Sequence, residues 1–99
     1  MPLGLLGLRG LATGKTFDLP EKMMIIGRGP ENDIPLYEMH LSRRHFRIFP
    51  HRASLVIEDL GSANGTALNG QLIRREVVPI QPGDVIDAGQ TRFVVIVMD

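Results

Sequence analysis

Several clusters in this chain have residue types suited to chemistry, and their spacing decides what each can do. Gly14-Lys15-Thr16 ends like a loop that cradles nucleotide phosphates with backbone N–H groups and a lysine. Such a loop needs a glycine where this chain has Arg9, and it opens a helix, whereas Thr16-Phe17-Asp18-Leu19 reads as a strand. A hairpin turn is the better reading. Gly27-Arg28-Gly29 starts a dinucleotide-binding glycine pattern, but Asn32 stands at the third glycine's place and no helix follows. Ser42, His45 and Asp59 are the residue types of a hydrolase triad. Ser42 lacks the flanking glycines of a nucleophile elbow, and Arg43 and Arg44 disfavour an imidazolium at His45. His40, His45 and His51 have no metal-ligand spacing, because 40 and 45 project to opposite faces of an extended chain. One structural histidine and two surface ones are expected. No catalytic residue, metal site or cofactor is expected.

What remains is a set suited to holding an oxyanion. Arg28 ends an apolar run, Ser42-Arg43-Arg44-His45 precedes another, and Asp59-Leu60-Gly61-Ser62-Ala63-Asn64-Gly65-Thr66 forms a polar loop. Arginine's planar fork grips a phosphate through two hydrogen bonds, and a serine hydroxyl adds a further donor. An asparagine amide both donates and accepts, so it can hold a peptide backbone in register. Asn64-Gly65-Thr66 is also a glycosylation sequon in a secreted chain, but Asn-Gly marks a tight turn, and the turn is the favoured reading. Nine of the eleven basic residues are arginines, a bias towards oxyanion recognition.

These groups need a rigid frame. At 99 residues the chain makes one small domain, taken as 1–99 with a core from about 3 to 98. With 43% apolar and 22% charged residues it is globular, and with no cysteine it has no disulfide framework or thiol nucleophile. No apolar run is long enough to span a bilayer, and the first ten residues read as a strand, Leu3 to Arg9. A cytoplasmic location is expected, with no membrane partner.

Eleven glycines and seven prolines punctuate short apolar or alternating runs. These are Leu3 to Arg9, Thr16 to Leu19, Met23 to Arg28, Arg44 to Phe49, Leu55 to Leu60, Val77 to Ile80, Asp84 to Ala88 and Thr91 to Met98. They predict strands of a β-sandwich or small barrel. Thr91 to Met98, almost continuously apolar, predicts a strand covered on both sides. Tyr37 to Phe46 has weak helical spacing but no N-cap pair, and it abuts a β-like run, so loop is the better reading.

Charge narrows the partner. Net charge is zero, from 11 basic and 11 acidic residues, which gives no whole-chain attraction to nucleic acid. Met39 to Ile57 carries four arginines and no acid, so that block is +4 and the remainder −4. One tyrosine and four phenylalanines provide no stacking platform, and no nucleic-acid partner is expected.

Taken in order, the motifs resemble the forkhead-associated (FHA) domain, a phosphothreonine-peptide-binding β-sandwich. The resemblance runs through Gly14-Lys15-Thr16-Phe17, Ile26-Gly27-Arg28, Asn32-Asp33-Ile34, Leu41 to Phe46 and Asp59 to Thr66. It closes with Leu68-Asn69-Gly70, Pro82 to Ile86 and the last apolar strand. It implies an all-β fold: two twisted, mostly antiparallel sheets of about eleven strands, with binding loops at one end. It also implies that Arg28, Ser42 and Arg43 hold the phosphate and that Asn64 holds the peptide backbone just past the phosphothreonine. Gly27, His45, Gly65 and Thr66 would shape the loops, while His40, Ser62 and Ala63 would bear on peptide selectivity. The implied role is a non-enzymatic module that binds phosphothreonine segments of partner proteins, a Ser/Thr kinase or its substrate among them. The alternative is a phosphorylation-independent scaffold using the same sandwich.

Overall fold

A computed structural model describes residues 2–99, so Met1 of the expected 1–99 domain lies outside the described residues. Among the described residues eleven strands form two sheets. They are β1 (Leu3–Arg9), β2 (Thr16–Leu19), β3 (Met24–Gly27), β4 (Ile34–Pro35), β5 (Phe46–His51), β6 (Ser54–Asp59), β7 (Thr66–Leu68), β8 (Gln71–Leu72), β9 (Val77–Pro79), β10 (Val85–Ala88) and β11 (Thr91–Val97). One sheet has the order β2-β1-β11-β10-β7-β8, the other β4-β3-β5-β6-β9. Every pairing is antiparallel except β3 with β4, which run parallel.

The core lies where the inward faces meet. Phe46 of β5 and Phe93 of β11 are fully buried and pack edge to face, ring centroids 6.4 Å apart, and Phe17 meets Phe93 at 6.1 Å. Such pairs add about 0.5–1.5 kcal/mol beyond the area they bury. Leu5, Ile26, Ile48, Ile57, Ile86 and Val95 fill the space around them. Each sits at an alternate position of its strand, as the period-two pleat requires.

The structure corrects a sequence-based expectation. Thr91–Val97 is not covered on both sides: Thr91, Phe93 and Val95 are buried, while Arg92, Val94 and Ile96 are only half-buried. The strand is central in its sheet, flanked by β1 and β10, and its outer residues are shielded by one another across Leu6↔Val94↔Val85 rather than by a further layer. As expected, the stretch from Tyr37 is irregular, but β5 starts at Phe46, two residues later than the predicted strand from Arg44. Arg44 therefore sits outside the strand and is exposed.

Among the described residues no helix is long and apolar enough to cross a membrane.

Candidate functional site

Three connections carry the candidate groups: residues 28–33 after β3, residues 36–45 before β5, and residues 60–65 between β6 and β7. Backbone bonds join the first two. The Arg28 N–H donates to Ser42 O (2.9 Å) and the Gly29 N–H to Arg43 O (3.0 Å). Asn32 donates its side-chain amide to Gly29 O (2.8 Å) and to Arg43 O. Gly27 allows this closeness, since a Cβ there would collide with Arg43 O. No other residue fits without moving the loop.

His45 joins the second and third connections. It is fully buried, its Nδ1 accepts the Ser42 N–H (3.0 Å), and its Nε2 lies 2.8 Å from Gly65 O. A carbonyl only accepts, so the ring is the neutral tautomer with its proton on Nε2. Both nitrogens are occupied, which leaves none to take a proton from Ser42 Oγ. A hydrolase triad is thereby excluded.

The third connection is held from inside by Asp59. Its carboxylate accepts the Gly61 and Ser62 N–H groups (both 3.0 Å), the Ser62 hydroxyl and the Thr66 hydroxyl (2.7 Å). Burial opposes the charged form, but the hydrogen bonds from the Ser62 and Thr66 hydroxyls and the Ser62 N–H outweigh it and leave the carboxyl below its ordinary range. Ser62 Oγ in turn accepts the Gly65 N–H (2.9 Å), and Gly65 has φ +82°, where glycine is favoured.

On this frame stand the polar groups that face outward. Arg28 is exposed, and its Nε donates to Leu41 O (3.2 Å), which fixes the guanidinium plane. Its terminal nitrogens have no hydrogen-bond partner among the described residues. Ser42 Oγ accepts the Ala63 N–H (2.9 Å), so its own proton is left to donate outward. Arg43 is exposed and meets Glu31 at 3.4 Å, a solvent-exposed pair of the kind worth under about 1 kcal/mol. Asn64 donates to His40 O (2.9 Å), leaving its carbonyl oxygen to accept a hydrogen bond.

Arg28, Ser42, Arg43 and Asn64 are thus brought to one loop cluster, with Gly27, His45, Gly65 and Thr66 beneath or between them. His40 and Ala63 are exposed there, whereas Ser62 is buried and its hydroxyl faces the interior. His51 lies outside the cluster, in the β5–β6 hairpin.

Sequence reasoning missed Glu38. It is buried, and its carboxylate accepts the His40 N–H (2.8 Å), the Gln90 N–H (3.1 Å) and the Thr91 hydroxyl (3.2 Å). One side chain thus ties the loop before Ser42 to the β10–β11 turn. Partners more than fifty residues away leave no local signal. Asn32, which secures Arg43, entered the sequence reading as part of the Asn32-Asp33-Ile34 motif but with no role assigned to it.

The family model of the FHA domain matches residues 24–89, from β3 to the β10–β11 turn and across all three connections. The chain belongs to the FHA domain family. This FHA domain is 36% identical over 86 residues to the oxoglutarate dehydrogenase inhibitor of Corynebacterium glutamicum, covering 87% of the chain but 59% of that relative. The chain therefore spans under two thirds of the relative's length. Among solved structures it is similar to the FHA domain of an Arabidopsis thaliana hypothetical protein, with TM-score 0.90, 33% identity and coverage of 99% of this chain and 86% of that one. It is also similar to Mycobacterium tuberculosis EmbR in complex with a low-affinity phosphopeptide, with TM-score 0.85, 30% identity and coverage of 97% and 24%. FHA domains are binding modules, and in this one His45 is buried with both ring nitrogens bonded.

Proposed function

We propose that this domain binds phosphothreonine-containing segments of partner proteins, a Ser/Thr kinase or its substrate among them, and performs no catalysis. The observation that carries this reading is the pairing of Arg28 with Ser42. One presents terminal guanidinium nitrogens held in a fixed plane; the other presents a hydroxyl whose acceptor side is already used by Ala63. Both are donors without an acceptor of their own at the surface, and a phosphate supplies three acceptor oxygens and about −1.5 to −2 charge.

In this reading Arg28, Ser42 and Arg43 hold the phosphate, and the Asn64 carbonyl oxygen accepts a backbone N–H of the bound segment. Gly27, His45, Gly65 and Thr66 hold the loops in shape, and Ser62 joins them because its hydroxyl is turned inward. His40 and Ala63 flank the path of the segment. Residues 1–99 act as one module, in the cytoplasm, where the absence of cysteine is no handicap.

The test is titration calorimetry with one peptide sequence carrying threonine, phosphoserine or phosphothreonine. Binding is expected for phosphothreonine and not for threonine. Equal affinity for the phosphorylated and unmodified peptides would overturn the reading in favour of a phosphorylation-independent scaffold.

A further inference from the structure

Asn-Gly occurs twice, at Asn64-Gly65 and Asn69-Gly70, and this pair of residues has a chemistry of its own. The backbone nitrogen after an asparagine attacks the side-chain carbonyl carbon and expels the amide, and a glycine there has no Cβ to hinder the approach. Attack needs that nitrogen freed of its proton and the side chain swung over it. An acceptor that holds the N–H slows the step, and so does a contact that holds the side chain away.

The two pairs are held differently. Asn69 is pinned at both ends of its side chain: the amide donates to Asp84 Oδ1 (3.0 Å) and the carbonyl accepts the Val85 N–H (2.9 Å). The Gly70 nitrogen is exposed, with no hydrogen-bond partner among the described residues. Asn64 is exposed and has one tether, from its amide to His40 O (2.9 Å). Here the nucleophile is held instead. Gly65 is buried, its N–H donates to Ser62 Oγ (2.9 Å), and the Ser62 hydroxyl donates onward to Asp59. With its proton committed to the carboxylate, the Ser62 oxygen has its lone pairs left for the Gly65 N–H. The Gly65 carbonyl is fixed in turn by His45 Nε2 at 2.8 Å.

We infer that Asn64 is a deamidation site guarded by Ser62, whose hydroxyl keeps the Gly65 nitrogen from attacking the Asn64 side chain. The chemistry balances with water as the one co-reactant. A solvent base takes the Gly65 amide proton and the nitrogen bonds to Asn64 Cγ. The Cγ–Nδ2 bond then breaks, and Nδ2 takes a proton from solvent and leaves as ammonia. Water opens the resulting five-membered imide at either carbonyl, which leaves an aspartate or an isoaspartyl link at that position. The consequence for binding rests on the phosphothreonine reading above: the product has no amide to bond His40 O, and it sets a negative charge beside the groups assigned to phosphate. Ser62, turned inward, thus sets how long the binding surface lasts.

The experiment uses the full chain, incubated in mildly alkaline buffer either folded or in guanidinium chloride, and reads amide loss by mass. One tryptic peptide, Ala53 to Arg74, carries both asparagines, and its fragment masses separate them. In denaturant both are expected to convert at similar rates. In the fold Asn64 converts more slowly than in denaturant. Ser62→Ala speeds it about two- to tenfold, the factor that one hydrogen bond represents, while Asn69 keeps its wild-type rate. Ser62→Cys, similar in size but a weaker acceptor, speeds it less. Thr66→Val takes the other hydroxyl from Asp59 and leaves the Gly65 bond, so Asn64 keeps its wild-type rate. Equal rates at Asn64 in folded and denatured wild type overturn the guard, as do Ser62 variants that leave Asn64 unchanged. An equal rise at Asn69, or at Asn64 in Thr66→Val, also overturns it, since general loosening produces that. Aged wild type is then separated by charge and the fraction deamidated at Asn64 titrated with a phosphothreonine peptide; binding at least about tenfold weaker than before ageing is expected. Full affinity in that fraction overturns the consequence for binding. Failure of the unaged protein to bind any phosphothreonine peptide overturns the phosphothreonine reading and leaves the guard, which is read from mass alone.

Discussion

Ser42 donates its backbone N–H to the Nδ1 of His45 at 3.0 Å, and the opposite edge of the same ring reaches Gly65 O at 2.8 Å. A buried side chain thereby spaces the serine of one loop from the glycine of another. This ring acts together with the direct bonds from the Ala63 N–H to Ser42 Oγ and from the Asn64 amide to His40 O to set the distance between Ser42 and Asn64.

Replacing His45 tests that linkage. His45→Ala leaves the buried Gly65 carbonyl and the Ser42 N–H without partners and opens a cavity, and it is expected to cost about 2–4 kcal/mol. Urea denaturation reads the loss. Calorimetry should show phosphopeptide affinity falling by more than the unfolded fraction accounts for, because both loops lose their spacer. Full affinity in the folded variant would remove His45 from the account.

Arg28 is expected to be intolerant of both size and charge-conserving change. Arg28→Ala should abolish measurable binding, and Arg28→Lys should weaken it at least about tenfold, since an ammonium cannot bond Leu41 O and offer a planar fork at once. Melting temperatures should hardly move, because the side chain is exposed. A lysine variant that binds like the wild type would show that charge alone is needed.

Binding should follow the ionisation of the ligand. The second phosphate pKa is near 6, so affinity should fall as pH drops from about 7 to about 5, when the dianion becomes a monoanion. Calorimetry across that range, with a phosphonate analogue of shifted pKa as comparison, checks it. A flat profile would argue against phosphate as the anchor.

Asp59 predicts a stability change at lower pH. Its carboxyl is lowered from 3.8 in the fold, so the folded state binds protons less readily there than the unfolded chain. The sign follows: the stabilisation is complete above the unfolded value and is lost as pH falls through the lower, folded value. Thermal melts of the wild type should therefore drop more steeply than those of Asp59→Asn between about pH 5 and pH 2. At neutral pH Asp59→Ala, which strands the buried Thr66 and Ser62 hydroxyls, should cost about 2–4 kcal/mol. Parallel pH profiles would show that the loop is held by something else.

Much of this protein is legible in its amino-acid sequence. Alternating apolar runs indicate the long strands because a pleat exposes and buries residues with period two, a pattern visible in one stretch of chain. The ordered polar motifs point to the family for the same reason: each is local. Strands β4, β7 and β8 have two or three residues, too few to show a period, and they exist because β3, β10 and β7 lie alongside to pair with them. Thr91–Val97 reads as doubly covered because apolar content does not say which face has a neighbour.

The amino-acid sequence by itself determined the fold class and which groups could hold an oxyanion. Only the tertiary structure decided how they are held. Ser62 proved to face inward and to accept the Gly65 N–H, and Glu38 to reach the β10–β11 turn. The physical reason is one of distance along the chain. Hydrogen bonds and burial join residues twenty to fifty positions apart, and such partners leave no mark on the spacing of either segment.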